Sequence, residues 1–342
     1  MKKKIFSICL SAVVLVALIA VLLPGCTEPG DGATYDLTMA VNPAACGTAT
    51  DETGGSPYEE DAVVDIKAVP DCCRFVSWTA PAGTFGNATA AETTFTMPAR
   101  NVTVTANFEP IPLDHFWCYW AEWADEPPMY GEPVQLEDQF TAEWLGESLN
   151  ATVLEPWLFG NPVEKVHDVT TPISDPDNHL TLYAIDYEEM PGVWEVTVNN
   201  QFGNDQLLLV EGPYWLAVPT QKGDHDEPVC LDHFLVYDVV DYMGAYPGVP
   251  VLLSDQFSLE PVEKTVKEPW YFANPVQKTH DGEITDIKND DHLVFYEISG
   301  GAFFMEDLSI VNQFGPQLID VYESEGDILG VPSVKIAWIG GP

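Results

Sequence analysis

The stretch EPWLFGNPVEKVHD at residues 155–168 returns as EPWYFANPVQKTHD at residues 268–281, with ten of the fourteen positions identical. Self-similarity of this kind marks an internal repeat, and a repeat decides the fold before any local signal does. The two stretches are parts of a longer unit, of which residues 114 to 338 contain four copies. The sequence therefore predicts a repeat architecture for most of the chain.

Each copy carries the same three marks, which we call the repeat marks. It opens with His and a Tyr four residues later, continues to an Asx-Gln-Phe triplet, and closes with Pro and a Lys three residues later. In chain order the marks are His115/Tyr119, Asp138-Gln139-Phe140 and Pro162/Lys165; His179/Tyr183, Asn200-Gln201-Phe202 and Pro219/Lys222; His233/Tyr237, Asp255-Gln256-Phe257 and Pro275/Lys278; His292/Tyr296, Asn312-Gln313-Phe314 and Pro332/Lys335.

The copies alternate between two types, A and B. The first and third (A) share the stretch quoted above, and the second and fourth (B) share Asn-Gln-Phe-Gly followed by Gln-Leu, at 200–207 and 312–318. A unit of ~55 residues is a marginal core, whereas ~115 residues make an ordinary domain. We therefore predict an all-β chain whose repeats form two β-sandwich or barrel-like domains, 110–228 and 229–342, each an A half packed on a B half.

Strand parity predicts the core of these domains. Four pairs of apolar residues share one face of the opening strands, and the His and Tyr marks share the opposite, mixed face. The Asx of each triplet points inward at a strand end, where its side chain is expected to bond turn backbone. The apolar pairs are Phe116/Cys118, Leu180/Leu182, Phe234/Val236 and Leu293/Phe295.

Residues 34–109 form a separate module of short strands at 35–41, 62–69, 75–78 and 102–108, with Gly, Pro and Asn between them. YDLTMAVNPAACGTAT, RFVSWTA and TTFTMPARNVTVTANFEP resemble the divergent internalin-B repeat (Listeria–Bacteroides type) of bacterial surface proteins. The resemblance implies a compact β-grasp-like module that serves as a spacer or adhesive unit and carries no catalytic residues.

The four repeats also resemble an uncharacterised domain family of prokaryotic surface proteins, present as tandem A-B repeats. The features that carry this resemblance are Asp-His-Phe with a Tyr close behind, Asp-Gln-Phe, and Asn-Pro-Val-x-Lys. The resemblance implies extracellular β-structure and assigns no activity.

The N-terminus has the pattern of an export signal. Lys2, Lys3 and Lys4 precede an apolar run over residues 5–23. Leu23-Pro24-Gly25-Cys26 resembles the lipobox of bacterial lipoproteins, which implies a signal peptide at 1–25, lipid attachment at Cys26 and a tether at 26–33. An uncleaved membrane anchor is the alternative. Either reading places the later residues outside the cell, on the outer face of the membrane or in the envelope.

Charge and composition exclude two classes. The chain has a formal net charge of −41, and with only ten Lys and Arg against 54 acids beyond residue 25, that part carries −44. Such a field repels nucleic acid and anionic polysaccharide and attracts cations. A disordered chain is excluded because 46% of the residues are hydrophobic and ten are Trp.

Five cysteines follow Cys26, an odd number that allows at most two internal disulfides. Cys46 is expected to pair with Cys72 or Cys73, since all three belong to the module. Cys118 and Cys230 complete the set.

All seven histidines lie at repeat boundaries, beside acidic residues. Imidazole with carboxylates suits zinc or manganese, and carboxylates alone suit calcium. The alternative is an acidic loop followed by a half-buried His that bonds backbone. No cofactor is assigned, and a divalent cation stays open, with ligand candidates His167, Asp168, His179, His225, Asp226, His233, His280, Asp281 and His292.

Trp120 and Trp123 occur in the first repeat, where the third has Asp238 and Asp241. They are candidates for a ligand-binding aromatic patch, with a contact between domains as the alternative.

No Gly-x-Ser-x-Gly, His-Glu-x-x-His or phosphate-binding glycine loop is found. We therefore predict a non-catalytic cell-surface lipoprotein with an adhesion, interaction or envelope-architecture role, whose partner is a protein or glycan at the cell surface. The alternative is an extracellular carbohydrate-binding protein or glycosidase accessory module. The ligand and the oligomeric state are not determined by the sequence.

Overall fold

The computed structural model describes residues 32–124, 131–188, 192–244, 248–258, 260–324 and 326–341. These ranges are almost entirely β-structure, which confirms the predicted all-β class. The predicted signal peptide and Cys26 lie outside the described residues. Within those ranges, no helix is long and apolar enough to cross a membrane.

The N-terminal module consists of nine strands and one 3-10 turn, Ala44–Cys46. The strands predicted from the sequence are all present, as β2, β5, β6 and β9. In chain order the strands are β1 (Thr34–Tyr35), β2 (Leu37–Asn42), β3 (Gly47–Asp51), β4 (Tyr58–Glu59), β5 (Val63–Pro70), β6 (Cys73–Thr79), β7 (Thr84–Phe85), β8 (Glu92–Thr96) and β9 (Val102–Pro110).

Two small sheets enclose the core of this module. β9 lies between β2, which runs parallel to it, and β6, which runs antiparallel. The second sheet has the order β3-β5-β8-β7. Val64, Trp78, Phe95 and Val104 are at most 2% exposed between the sheets, and the buried Trp78 indole donates to the carbonyl of Ala90 at 3.0 Å.

Two disulfides fix the module internally and to the repeats. Cys46 is bonded to Cys73, one of the two pairings that the sequence left open. Cys72 is bonded to Cys230, 158 residues away, in the linker that precedes the third repeat. Cys118 is a free, buried cysteine.

The four repeats build one closed ring of eight antiparallel strands. Each repeat contributes an opening strand, at its His mark, and a closing strand, which leads to its Lys mark. In ring order these are β10 (His115–Trp123), β12 (Leu149–His167), β14 (His179–Tyr187), β16 (Gly203–Lys222), β17 (Phe234–Met243), β19 (Val262–Pro275), β22 (His292–Ser299) and β25 (Gly326–Gly341), and β25 pairs back to β10.

An outer layer of hairpins covers the ring. In each repeat the strand after the opening strand forms a hairpin with the next one. In the first three repeats that next strand is the start of the closing strand, and in the fourth it is the separate strand β24. These outer elements are β11 (Glu132–Glu137), α1 (Gln139–Leu145), β13 (Val169–Thr171), β15 (Val193–Asn200), β18 (Val249–Ser254), β20 (Gln277–His280), β21 (Glu283–Thr285), β23 (Phe304–Asn312) and β24 (Gly315–Tyr322).

The ring is filled by apolar side chains. All eight residues of the predicted apolar pairs belong to one cluster inside it, which confirms the parity argument. Two glycines make room for them: a Cβ at Gly330 would lie 2.9 Å from the Phe295 ring, and one at Gly160 would lie 3.3 Å from Cys118 Sγ. An eight-stranded ring of this kind is a packed core without a channel.

The opposite face of the opening strands is also buried, whereas the sequence predicted a mixed face. Tyr119, Tyr183, Tyr237 and Tyr296 are at most 1% exposed, because the outer hairpins pack over them in a second, larger core. Parity identifies two faces, but it cannot tell that a second layer covers one of them.

The predicted division into two domains at 228/229 is corrected by the strand pairing. β16 of the second repeat is hydrogen-bonded to β17 of the third, and β25 of the fourth to β10 of the first. Two separate halves would each leave two open sheet edges, whereas the complete ring leaves none. The four repeats are therefore one domain.

Like repeats exchange strands across the ring. The end of β12 in the first repeat pairs with β18 of the third, and β20 of the third pairs with β11 of the first. The second and fourth repeats make the same exchange, β16 with β23 and β25 with β15. The A-B-A-B order follows from this, because it places like repeats opposite each other as reciprocal partners.

Candidate functional site: the aromatic end of the ring

The repeat marks meet between the ring and the outer layer. We call the His, Tyr, Asx and Lys residues of the marks in all four repeats the polar belt. Its best-connected group is a carboxylate. Asp138 Oδ1 accepts from the backbone N–H groups of Phe140 and Thr141, and Oδ2 accepts from Tyr237 and Asn274, all at 2.9–3.0 Å. The predicted inward, turn-bonding role of the Asx is confirmed.

Asp255 repeats this arrangement across the ring. It accepts from Phe257 and Ser258 backbone, from Tyr119 at 2.9 Å and from Asn161 at 3.0 Å. The B repeats use neutral groups instead. Tyr183 of the second repeat donates to Gln317 and accepts from Asn312, both in the fourth. In the same way, Tyr296 of the fourth repeat donates to Gln206 and accepts from Asn200, both in the second.

The closing lysines of the two B repeats are hydrogen-bonded into the same belt. Lys222 Nζ donates to Asn161 at 3.0 Å, and Lys335 Nζ donates to Asn274 at 2.7 Å. Burial lowers the pKa of both ammonium groups to about 8, against the opposing effect of the nearby Asp255 and Asp138. Each lysine also lies over an aromatic ring of the belt, Lys222 at 4.8 Å from the Phe257 centroid.

The four opening histidines are buried between repeats. His115, His179 and His233 each meet the Gln of the following repeat's triplet, at 2.6, 3.4 and 3.1 Å. Gln139, which would complete the cycle at His292, instead begins α1, and Nε2 of His292 has no hydrogen-bond partner in the described part of the chain. Burial lowers the pKa of all four imidazoles to about 3.

The nine predicted metal ligands do not converge. No three of them bring ligand atoms within 4.8 Å of one another among the described residues, and the one group that does is Asp71 with the disulfide-bonded Cys72 and Cys230. His179, His233 and His292 are in the belt. His225 Nδ1 lies 2.6 Å from Asp177, and the Asp226 beside it is exposed. Metal binding stays a prediction.

The two remaining His-Asp pairs have a backbone role. His167-Asp168 and His280-Asp281 lie at tight turns after the closing strands, with Asp168 at φ 57° and Asp281 at φ 51°. Asp tolerates this left-handed region better than most residues, which accounts for an Asp after each of these histidines. Each His has an acidic neighbour, at 3.7 Å to Asp168 and 3.5 Å to Glu132.

Trp120 and Trp123 lie beside the fourth repeat, far along β10 from the module. The Trp120 indole donates to the carbonyl of Gly326 at 2.9 Å, and that of Trp123 donates to Gln317 at 3.4 Å. Both are half-buried. The module joins the ring where the opening strands begin, so both residues contact the fourth repeat, which belongs to the second predicted domain, and not the module.

Trp120 is part of a larger group that we call the aromatic end. It lies where the opening strands leave the ring and consists of Trp120, Trp157, Tyr214, Trp215, Trp270 and Tyr271. Successive rings touch, from 4.3 Å between the Trp215 and Tyr271 centroids to 6.5 Å between Trp157 and Trp215. Trp215 is buried, whereas Trp157 is 37% and Tyr214 48% exposed.

Prolines place these aromatic side chains at one end of the strand ring. Pro156, Pro213 and Pro269 each sit at an irregularity in the strand ladder. Proline has no N–H to donate, so it is tolerated where the ladder is interrupted, and the aromatic residues follow it directly. In the fourth repeat Gly326 packs against Trp270, at 3.3 Å from a Cβ placed there.

Two acidic residues lie in a cross-strand row with Tyr271. Glu211 is opposite Asp238 across β16 and β17, and Asp238 is opposite Tyr271 across β17 and β19. Burial and the charge of Glu211 raise the pKa of Asp238, while the N–H of Val239 acts in the other direction. Burial, Asp238 and Tyr214 raise the pKa of Tyr271.

A second surface feature is an open groove of about 680 Å³ beside β11 and the turn between β20 and β21. Pro133, Gln135, Thr152, Tyr187 and Asp281 contribute to its lining. It carries no cluster of exposed aromatic rings, so the aromatic end is the better contact surface.

Comparison with known families gives two matches. Residues 37–112 match the divergent InlB B-repeat domain, and residues 188–331 match a repeat of unknown function, DUF7450. Both predicted resemblances are confirmed. No curated protein and no solved structure matches the chain. The two repeat families indicate a surface or interaction module, and neither description names a ligand or an activity.

Sequence reasoning found only one member of the aromatic end. Trp120 differs from its counterpart in the third repeat, Asp238, whereas Trp157 and Trp270 belong to the repeated EPW stretch and do not stand out. The available signal was an aromatic residue after Pro in three repeats, at Pro156, Pro213 and Pro269. Only the closure of the ring brings these positions together.

Proposed function

We propose that this protein is a non-catalytic binding protein displayed on the cell surface, which contacts its partner through the aromatic end. The observation that carries the proposal is the exposed part of the aromatic end, Trp157 at 37% and Tyr214 at 48%, on a domain whose polar belt is buried. Soluble domains rarely expose contiguous aromatic surface without a binding role, and Trp and Tyr dominate contact energies at interfaces.

Export and lipid anchoring at Cys26 are part of the proposal. The basic and apolar N-terminal pattern supports export, as do the disulfides Cys46–Cys73 and Cys72–Cys230, which persist in oxidising compartments. The module joins the ring at the end opposite the aromatic end. An anchor at Cys26, which precedes the module in the chain, would therefore hold the module toward the membrane and leave the aromatic end facing away from it.

The anchor is tested by labelling cells that express the full chain with radioactive palmitate. We expect label on the wild type and none on Cys26→Ser. Label that persists in Cys26→Ser would refute Cys26 as the attachment site. A wild type that keeps its N-terminal residues and takes up no label would show an uncleaved anchor instead.

Binding is tested with the full chain and washed cells and envelope fractions of the producing organism. Trp157→Ala/Tyr214→Ala is expected to reduce retention at least tenfold, because truncating exposed aromatic anchors removes the main contact energy. The matched control is Ile284→Ala/Ile339→Ala, which removes two other exposed apolar side chains, 64% and 71% exposed. Equal retention of both variants and wild type would refute the role of the aromatic end.

A further inference from the structure

We propose that the partner of the aromatic end is a protein that inserts a cationic side chain, ammonium or guanidinium, at the corner formed by Tyr214, Tyr271, Glu211 and Asp238. This inference rests on the proposed function and names the chemistry of its partner.

The first reason is an uncompensated pair of like charges. Glu211 and Asp238 are direct partners across two neighbouring strands. Like charges at such positions destabilise a sheet, and no ion pair joins either carboxylate to a Lys or Arg within the described ranges. A cation from a partner would remove this repulsion and gain two carboxylate contacts.

Two lysines of β19, the strand that pairs with β17, are engaged with other acidic residues. Lys267 lies 2.6 Å from Glu297, and Lys264 lies 2.6 Å from Glu323, where it is only 3% exposed. Neither lysine is left to neutralise Glu211 and Asp238. Within the described residues, no Lys or Arg supplies a counter-charge at this corner, so we expect it from the partner.

The second reason is the orientation of the rings. Tyr214 is at 77° to Trp215, Tyr271 is at 46° to Trp215, and the two tyrosines are at 34° to each other with centroids 5.9 Å apart. Tilted rings form the walls of a corner, where a cation can approach aromatic faces. A flat platform for stacking a sugar ring would need exposed, nearly coplanar faces.

The field of the whole chain favours the same partner. With a net charge of −41, the protein attracts cationic surfaces over distances of about a Debye length and repels anionic ones. This attraction is spread over the whole surface. It speeds the encounter with a cationic partner but does not direct the partner to the corner. The test has to separate the two effects.

The experiment measures binding of fluorescent octa-arginine and octa-lysine to the full chain at 150 mM salt by anisotropy, with cellohexaose as the neutral probe. Glu211→Gln/Asp238→Asn removes the two charges and keeps the side-chain shapes. The matched control is Glu52→Gln/Asp65→Asn, two exposed acids on the module, which changes the net charge by the same amount. Tyr214→Ala tests the ring without changing charge.

We expect the corner variants, Glu211→Gln/Asp238→Asn and Tyr214→Ala, each to weaken peptide binding about tenfold, and the module control to weaken it less than twofold. Equal weakening by the two charge variants would overturn the inference, since binding would then follow only the diffuse field. Binding of cellohexaose that survives Glu211→Gln/Asp238→Asn would overturn it in favour of a glycan.

The two proposals fail in different ways. If Trp157→Ala/Tyr214→Ala loses envelope binding and Glu211→Gln/Asp238→Asn keeps it, the proposed function stands and the cationic partner is refuted. If neither variant loses envelope binding, the aromatic end is not the contact surface and both are refuted.

Discussion

The polar belt and the aromatic end lie on the same strands and behave in opposite ways. In the belt, Asp138 is 4% exposed and accepts from four donors within the fold. At the aromatic end, Trp157 and Tyr214 keep large exposed areas, and Glu211 and Asp238 have no cation in the described chain. Tyr119 and Trp120, adjacent in β10, belong one to each.

This difference separates what recurs in every repeat from what varies between repeats. The belt is built from the marks that recur in all four repeats, because each repeat must close on its neighbours. The aromatic end varies between repeats. The closing strands of the first three repeats contribute Trp157, Tyr214-Trp215 and Trp270-Tyr271, whereas the fourth has Gly326 there. The predictions below test whether belt changes cost stability while changes at the aromatic end cost binding.

The largest effect is expected from Asp138→Ala. The substitution leaves four buried donors without their acceptor, and each unsatisfied buried group costs about 1–3 kcal/mol, partly relieved by water. We expect a loss of about 4 kcal/mol in the free energy of unfolding, measured by urea denaturation. The control is the exposed neighbour Glu137→Ala, expected to cost less than about 1 kcal/mol. Similar losses for both would contradict the role of the belt.

Acidification is expected to destabilise the belt through its histidines. Burial lowers the pKa of His233 to about 3, from 6.5. The unfolded chain therefore binds the proton more tightly, and the stability that neutral His233 contributes above pH 6.5 is lost progressively as the pH falls toward 3. At pH 5 the loss amounts to about 2 kcal/mol for this residue.

The matched variant is His233→Gln, which keeps a partner for Gln313. Its unfolding free energy should fall about 2 kcal/mol less than that of the wild type between pH 7 and pH 5. The comparison of variant with wild type cancels the opposite contribution of Asp232, whose pKa burial raises. Identical pH dependence of the two proteins would show that His233 is not buried as a neutral group.

A smaller effect is expected from Tyr237→Phe. The variant keeps the ring and removes one of the four donors to Asp138, so the remaining three still satisfy the carboxylate. We expect a loss of about 1 kcal/mol in urea denaturation, and the same from the equivalent Tyr119→Phe across the ring. A large difference between the two would show that the first and third repeats are not energetically equivalent.

The smallest effect on stability is expected at the aromatic end. Trp157 is 37% exposed, so Trp157→Ala should lower the unfolding free energy by about 1 kcal/mol, far less than the 3–5 kcal/mol of a buried aromatic residue. The buried Trp215→Ala is the contrast and should reach that range. A loss at Trp157 as large as at Trp215 would mean that the aromatic end is a structural core.

Much of the fold was predictable because it depends on local pattern. Period-two alternation predicted the module strands, and parity identified the apolar pairs that fill the ring. The Asx triplets were correctly read as turn-bonding residues. The predicted domain boundary is wrong because the A-B-A-B order does not show that each repeat pairs with both of its neighbours, which closes one ring.

By itself, the sequence determined that four alternating repeats form β-structure and which side chains of the opening strands fill a core. These follow from period, parity and composition, which are local or additive properties. Only the tertiary structure decided that the repeats close one ring, that Tyr119 bonds Asp255 136 residues away, and that aromatic residues from three repeats meet. Such contacts depend on which strand edges pair, and many pairings are compatible with the same local pattern.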